Sequence, residues 1–150
     1  MFTSILLLSL AGTVLATIIG TFWYSPMTPM GKIHMRYLGF DQLSPEEQKN
    51  KIEDAKPKMA MKYAAQMLLS FMTSVAVVFI ITMSVQNGVP FMMAVGFPVF
   101  IWLCFMVPIT GSALLWSNCD RAIVWQKFFS DILSNLVIIL LIAGMVSFFI

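Results

Sequence analysis

Charged residues divide the chain into three long uncharged stretches, residues 1–31, 63–119 and 132–150. The middle stretch is too long for one helix across a bilayer core of about 30 Å, at a rise of about 1.5 Å per residue, and it fits two. Between its halves, Gln86-Asn87-Gly88-Val89-Pro90 is typical of a turn followed by a new helix. The pattern therefore predicts four transmembrane helices, near residues 3–24, 61–84, 91–114 and 129–149.

The first connection, residues 25–60, is the main polar segment of the chain. Within it, Ser44-Pro45-Glu46-Glu47 has the pattern of a capping box, with the proline at the first helical position. This pattern predicts a short solvated helix that starts at Pro45 and ends near Ala55, because Pro57 cannot easily continue it.

Composition supports a membrane protein. Apolar residues make up 59% of the chain, charged residues 11%, and the mean hydropathy is +0.88, whereas soluble domains are about 45–50% apolar and about 25% charged. These values exclude a soluble globular domain and a disordered chain, and a net charge of only +2 argues against a nucleic-acid binder. We expect an all-α membrane protein with one four-helix transmembrane domain over residues 1–150. A short polar helix should lie between helices 1 and 2, and the lipid bilayer is the expected partner.

Basic residues predict the orientation. Eight of the nine Lys and Arg residues lie in the first connection or in the third, residues 115–128, and the ninth, Lys62, lies two residues after the first connection. The positive-inside rule places both connections in the cytoplasm and both termini outside the cell membrane. The N-terminal stretch lacks a basic flank and a cleavage motif, so we expect it to be a retained helix. In the first connection, residues 31–38 mix bases with apolar residues; they either lie along anionic headgroups or only anchor the end of helix 1.

Histidine and cysteine limit the chemistry. One His and two Cys are too few for a zinc site, a catalytic dyad or a disulfide framework, so we expect Cys104 and Cys119 to be free thiols. Met27, Met30 and His34 could form a soft-metal cluster, but Pro29 interrupts their helix and methionine is mostly packing material in so apolar a chain. No metal and no cofactor are expected.

Helix 1 carries a stripe of small residues. Gly12, Ala16 and Gly20 recur at four-residue intervals, a spacing that lets a neighbouring helix approach closely. The partner is either another helix of this chain, which we favour, or a second protomer. The stripe predicts a helix-packing face and leaves open a homo-oligomer or another membrane-protein partner.

The segment that follows resembles a known family. Gly20-Thr21-Phe22-Trp23-Tyr24-Ser25-Pro26, together with Gly31-Lys32 and Leu38-Gly39, is similar to the G-x-x-W-Y-S-P signature of the domain-of-unknown-function 1761 (DUF1761) family of small integral membrane proteins. The resemblance extends over nearly the whole chain and implies a four-helix membrane protein. It supplies no catalytic residues, and the chain departs from the family at His34-Met35, where a Trp is favoured.

Several polar residues are candidates for function near the cytoplasmic side. Tyr24 and Ser25 either sit at the headgroup level or line a cavity where prolines break the helix. In helix 3, Pro98 and Pro108 predict kinks, and Thr110 would lie at an opening of the kind that transporters use. Both interpretations stay open for each group.

Asp131 is an ionisable residue at or slightly within the predicted cytoplasmic interface. It directly precedes the last uncharged stretch, with Ser134 and Asn135 on its face and Lys127 one turn earlier. An ionisable residue at membrane depth is a functional hypothesis by default, but a negative charge in the first turn of helix 4 also favours the helix dipole. Asp131 is therefore either a structural anchor or a proton or cation relay.

Three functions are compatible with these features. We favour a non-enzymatic structural or interaction subunit that binds partners through helix 1 and the cytoplasmic connection. A small oligomeric transporter or channel is the first alternative. A membrane-embedded enzyme acting on lipid is the second, and it would require Tyr24, His34, Asp120, Arg121 and Asp131 to cluster. No sequence motif indicates an enzyme.

Overall fold

In a computed structural model, the described residues, 2–117 and 119–149, form an all-helical chain. Nothing is described of the side chain of Lys58, and Asn118 in the predicted third connection and both chain ends lie outside the described residues. Six α-helices follow in order: α1 Phe2–Trp23, α2 Pro29–Tyr37, α3 Pro45–Gln86, α4 Phe91–Ile101, α5 Val107–Leu115 and α6 Arg121–Ser147. A 3₁₀ turn, Phe40–Gln42, precedes α3, and a π turn, Trp102–Met106, joins α4 to α5.

Four helical segments are long and apolar enough to cross a membrane, as predicted. They are Phe2–Trp23, Met59–Gln86, Phe91–Leu115 and Arg121–Ser147. The third of these consists of α4, the π turn and α5 together. The predicted turn between the second and third segments is confirmed: Asn87 caps α3, Gly88 has a φ of +83°, and Pro90 caps α4.

The apolar core lies at one end of the bundle. The N-terminal half of α1, the C-terminal half of α3, the start of α4 and the end of α6 meet there around the fully buried Val78, Ile81 and Val146. The α1 and α3 helices are in close contact at Gly12, where an added Cβ would overlap Ser74 Oγ. We call this the core end, and the opposite end, which holds α2, the basic end.

The predicted helix stop before Pro57 is wrong. The capping box is present as predicted, with the Ser44 N–H donating to Glu47 Oε2 at 2.8 Å and the Glu47 N–H to Ser44 Oγ at 3.3 Å. The helix then continues through Pro57 to Gln86 without a break. Proline removes one backbone donor, but the strong helix formers around it, including Lys56 and Ala60, sustain the helix. The predicted separate polar helix is therefore the first part of α3.

The fourth transmembrane helix begins earlier than predicted. Asp120 caps α6 by accepting a hydrogen bond from the Ala122 N–H at 2.7 Å, and the helix starts at Arg121 instead of near residue 129. The prediction treated Lys127 as part of a solvated loop, but Lys127 is buried in α6, with 7% of its surface exposed. Lys127 is paired with the half-buried Asp131, and a paired charge can lie away from water.

The third transmembrane segment changes its helical period before Pro108. The Val107 N–H bonds to the Trp102 carbonyl, five residues back, so the turn is wider than an α turn. An α-helix would bring the proline ring against the carbonyl of Cys104, four residues earlier, and the wider turn accommodates it. In contrast, α4 passes through Pro98 without interruption.

Candidate functional site

The short α2 helix positions the basic end. Thr28 caps it by accepting a hydrogen bond from the Gly31 N–H at 2.9 Å, and Pro29 occupies the first turn, where its missing donor costs nothing. Gly31 is buried against the preceding turn, and a Cβ there would overlap the carbonyl oxygen of Ser25. Only glycine permits this approach, which turns α2 back towards α6.

Two aromatic side chains at the end of α1 bond to α6. The Trp23 indole Nε1–H donates to Ser130 Oγ at 3.1 Å, and the Tyr24 hydroxyl donates to Asp131 Oδ1 at 2.7 Å. Ser130 is almost fully buried. The last residue of α1 and the residue that follows it therefore bind two consecutive residues of α6, which fixes the position of the end of α1 against α6.

Lys127 completes this arrangement. It forms an ion pair with Asp131, one turn along α6. Its Nζ also lies 5.1 Å from the centre of the Tyr24 ring and 5.8 Å from that of Tyr37 in α2, within the range of cation–π attraction. We call Trp23, Tyr24, Lys127, Ser130 and Asp131 the clamp. It joins the end of α1 to α6 through side chains, and Lys127 also contacts Tyr37 of α2.

His34 packs beside the clamp. Its ring centre lies 5.1 Å from that of Tyr24, and its Nδ1 is buried without a hydrogen-bond partner among the described residues. Burial lowers the pKa of His34 below the ordinary value of 6.5, and the nearby positive charge of Lys127 lowers it further. The imidazole is therefore neutral at neutral pH.

The clamp satisfies its own charges. The Asp131 carboxylate has the Lys127 ammonium and the Tyr24 hydroxyl as partners, so neither charge is left unpaired at membrane depth. Asn135 adds a hydrogen bond from Nδ2 to the backbone carbonyl of Asp131 at 2.9 Å. Chemically, the arrangement holds the end of α1 to α6.

The structure brings together only some of the candidate residues. Tyr24, His34, Asp131 and Asn135 lie at the basic end, in or beside the clamp. The Ser25 hydroxyl accepts a hydrogen bond from the Met27 N–H at 3.4 Å, within the turn after α1. Thr110 lies half-buried in α5.

The remaining polar candidates lie elsewhere. Asp120 and Arg121 are at the start of α6, about 16 Å along its axis from Asp131 at a rise of about 1.5 Å per residue. The five polar residues that the enzyme alternative required therefore do not form one cluster.

The small-residue stripe of helix 1 is used in part. Gly12 contacts α3 and Ala16 is buried, whereas a Cβ at Gly20 would meet nothing within 4 Å. The hydroxyls beside the stripe bond locally; Thr13 donates to the carbonyl of Ser9 at 2.7 Å.

Sequence reasoning missed the parts of the clamp that act across helices. Ser130 and the pairing of Lys127 with aromatic rings had no signal in the sequence, because the partners are distant in the chain. Gly31 did have a signal in the sequence. Thr28-Pro29 is a typical helix start, and a glycine two residues after the proline is consistent with a close backbone approach.

The structure also bears on metal binding and the thiols. Among residues 2–117 and 119–149, no group of three or more His, Cys, Asp and Glu side chains could hold a metal ion. Met27, one of the methionines considered for copper, is 91% exposed. Cys104 and Cys119 are both exposed free thiols.

Comparisons with known proteins identify the family. The family model described as "Protein of unknown function (DUF1761)" matches residues 7–147. No curated protein and no solved structure matches the chain. The matched range includes all of the clamp and nearly all of the four transmembrane segments, and on this basis the chain belongs to the DUF1761 family of unknown function.

Proposed function

We propose that the protein is a non-enzymatic interaction subunit of the cell membrane, with its basic end in the cytoplasm and with α3 as its partner-binding helix. One observation carries this proposal. Among the described side chains of α3, none between Pro45 and Thr73 is buried, although the helix is continuous. We call residues 45–69 the α3 arm.

The α3 arm differs from the neighbouring helix α6, which does have buried side chains at the basic end. At the basic end, α1 and α6 are joined by the clamp, and α6 is buried at intervals from Val124 onwards. The α3 helix packs on α1 near the core end, at Ser74 and beyond. In the arm, no described side chain is buried, and the contacts made by Gln48 and Lys51 are with the short segment before α3, at the carbonyls of Phe40 and Leu38. Helices gain most of their stability from tertiary packing, so an arm of this length is well suited to receive another protein.

The arm offers two kinds of surface. Residues 45–56 carry both acidic and basic side chains, nearly all exposed, which suits a polar cytoplasmic partner. Residues 61–69 are mostly apolar and exposed on all sides, including Tyr63, Met67 and Leu68. This second part lies in a transmembrane segment, where close packing drives helix association.

Photocrosslinking in native membranes tests the proposal. A photoreactive phenylalanine analogue at Tyr63 or Met67 should give one discrete protein adduct, while the same analogue at Met92, which is 79% exposed at the core end, should give none. Differently tagged copies of the chain distinguish a homo-oligomer from another membrane protein. Adducts with lipid alone at both arm positions, together with a monomeric native mass, would contradict the proposal.

A transporter or channel is the second candidate, and the ion pair of Lys127 with Asp131 inside a transmembrane segment favours it. Proton flux into proteoliposomes, measured for the wild type and for Asp131→Asn, tests this candidate. Flux that the substitution abolishes would favour a relay. An interaction subunit predicts no flux above that of empty liposomes in either case.

A further inference from the structure

A cleft between the end of α5 and the start of α6 lies apart from the α3 arm. Its volume is about 450 Å³, and its lining includes Leu114, Leu115, Ser117, Arg121, Val124 and Trp125. A smaller recess of about 60 Å³ shares four of these residues and extends to Gly111 and Phe128. We call the two together the α5–α6 cleft.

One end of the cleft is polar and basic. Arg121 is exposed and forms no ion pair within the described part of the chain, and the adjacent Asp120 carboxylate is occupied by the Ala122 N–H. The Ser117 hydroxyl is buried and has no hydrogen-bond partner among the described residues. A buried hydroxyl without a partner is costly, and an acceptor oxygen in the cleft would satisfy it while the guanidinium neutralised its charge.

The other end of the cleft is apolar. Gly111 packs closely on the Phe128 ring, since an added Cβ would lie only 3.3 Å from it, and both residues line the recess. Leu115 and Trp125 border both parts and are more than half exposed on the transmembrane surface. Tryptophan is enriched at the boundary between the headgroups and the hydrocarbon of a bilayer. The polar end of the cleft therefore corresponds to the headgroup of a lipid, and the apolar end corresponds to its acyl chains.

We propose that the α5–α6 cleft binds one anionic phospholipid. Its phosphate oxygens meet Arg121 and the Ser117 hydroxyl, and an acyl chain lies along the exposed apolar surface of Leu115 and Trp125. The unpaired guanidinium favours an anionic headgroup over a zwitterionic one, and the apolar recess favours a lipid over a free phosphate ester.

Lipid titration of the delipidated, full-length protein, followed by native mass spectrometry, tests the proposal. Phosphatidylglycerol should bind more tightly than phosphatidylcholine, and glycerol 3-phosphate should not bind detectably. Arg121→Gln should weaken phosphatidylglycerol about fivefold, because one basic residue near an anionic headgroup contributes about 1 kcal/mol. Arg36→Gln, which removes an exposed arginine of α2, is the matched control and should change nothing. Arg121→Lys, which keeps the charge, should retain most of the preference.

Thiol protection localises the binding. Cys119 also lines the cleft, and in a Cys104→Ser background it is the remaining cysteine. In neutral detergent, phosphatidylglycerol should slow its alkylation by N-ethylmaleimide, and Arg121→Gln should abolish the protection. Equal binding of both phospholipids with no effect of Arg121→Gln would overturn the proposal. Protection by glycerol 3-phosphate as strong as that by phosphatidylglycerol would do the same.

Discussion

The Tyr24 hydroxyl donates a hydrogen bond of 2.7 Å to Asp131 across a sequence separation of 107 residues. Together with the bond from Trp23 to Ser130, it joins the end of α1 to the third turn of α6. Because only the four residues 25–28 separate Tyr24 from α2, the same contact also constrains where α2 lies. The basic end is thus held by polar side chains, whereas the core end is held by apolar packing.

Removing the Tyr24 hydroxyl should weaken the clamp without changing its shape. A hydrogen bond to a charged group contributes about 1.5 kcal/mol or more, so Tyr24→Phe should lower the melting temperature in detergent by about 4 °C. Tyr63→Phe is the matched control, because Tyr63 is 66% exposed in the α3 arm. Equal melting temperatures for the two variants would show that the Tyr24 hydroxyl contributes nothing.

Removing one charge of the Lys127–Asp131 ion pair should destabilise the protein more than removing both charges. Asp131→Leu leaves the buried ammonium of Lys127 without its partner, and losses of about 3 kcal/mol are typical of such a change. The double variant Lys127→Met/Asp131→Leu removes both charges and should be more stable than Asp131→Leu alone. Thermal unfolding of the wild type, Lys127→Met, Asp131→Leu and the double variant measures the coupling free energy between the two residues. Strictly additive losses of stability would mean that the pair does not interact.

Two glycines of the family signature should respond in opposite ways to alanine. Gly31→Ala places a Cβ on the Ser25 carbonyl oxygen and should cost about 1–3 kcal/mol through overpacking. Gly20→Ala meets no atom within 4 Å and lies inside α1, where alanine is the better helix former by about 1 kcal/mol. Its melting temperature should therefore stay the same or rise. Similar losses for both variants would contradict the close approach of α2.

Stability should fall in mildly acidic solution because of His34. Its pKa is lowered in the folded protein by burial and by Lys127, so the unfolded chain takes up a proton first. The stabilising contribution is therefore complete above pH 6.5 and is lost as the pH falls from there through the folded-state pKa. His34 is the single histidine, so His34→Gln should flatten the melting temperature over this range. A slope that persists in the variant would assign the titration to another group.

Local signals in the sequence predicted much of the fold. The Ser44 capping box, the Asn87-Gly88 turn and the four apolar segments each depend on neighbouring residues, and each is present in the structure. The length of α3 was missed because a proline usually ends a helix, and at Pro57 the surrounding helix formers prevail. The confirmed predictions and the missed length of α3 all depended on interactions between residues close in sequence.

The clamp was only partly predictable. Asp131 and Tyr24 were singled out for their chemistry, and the position of Lys127 one turn before Asp131 was visible. Their association through α1 and α6 depends on how two distant helices pack, which no local pattern encodes. The prediction that Lys127 lies in a solvated connection was wrong for the same reason, because side chains from distant parts of the chain bury it.

Hydrogen–deuterium exchange of residues 45–58 tests the central claim most directly. In a purified monomer in nanodiscs, these amides should exchange faster than those of α2, because α2 packs on α6 and no described side chain of residues 45–58 is buried. In native membranes, a bound partner should slow their exchange while leaving α2 unchanged. Exchange of residues 45–58 at the same rate in both preparations would contradict the account.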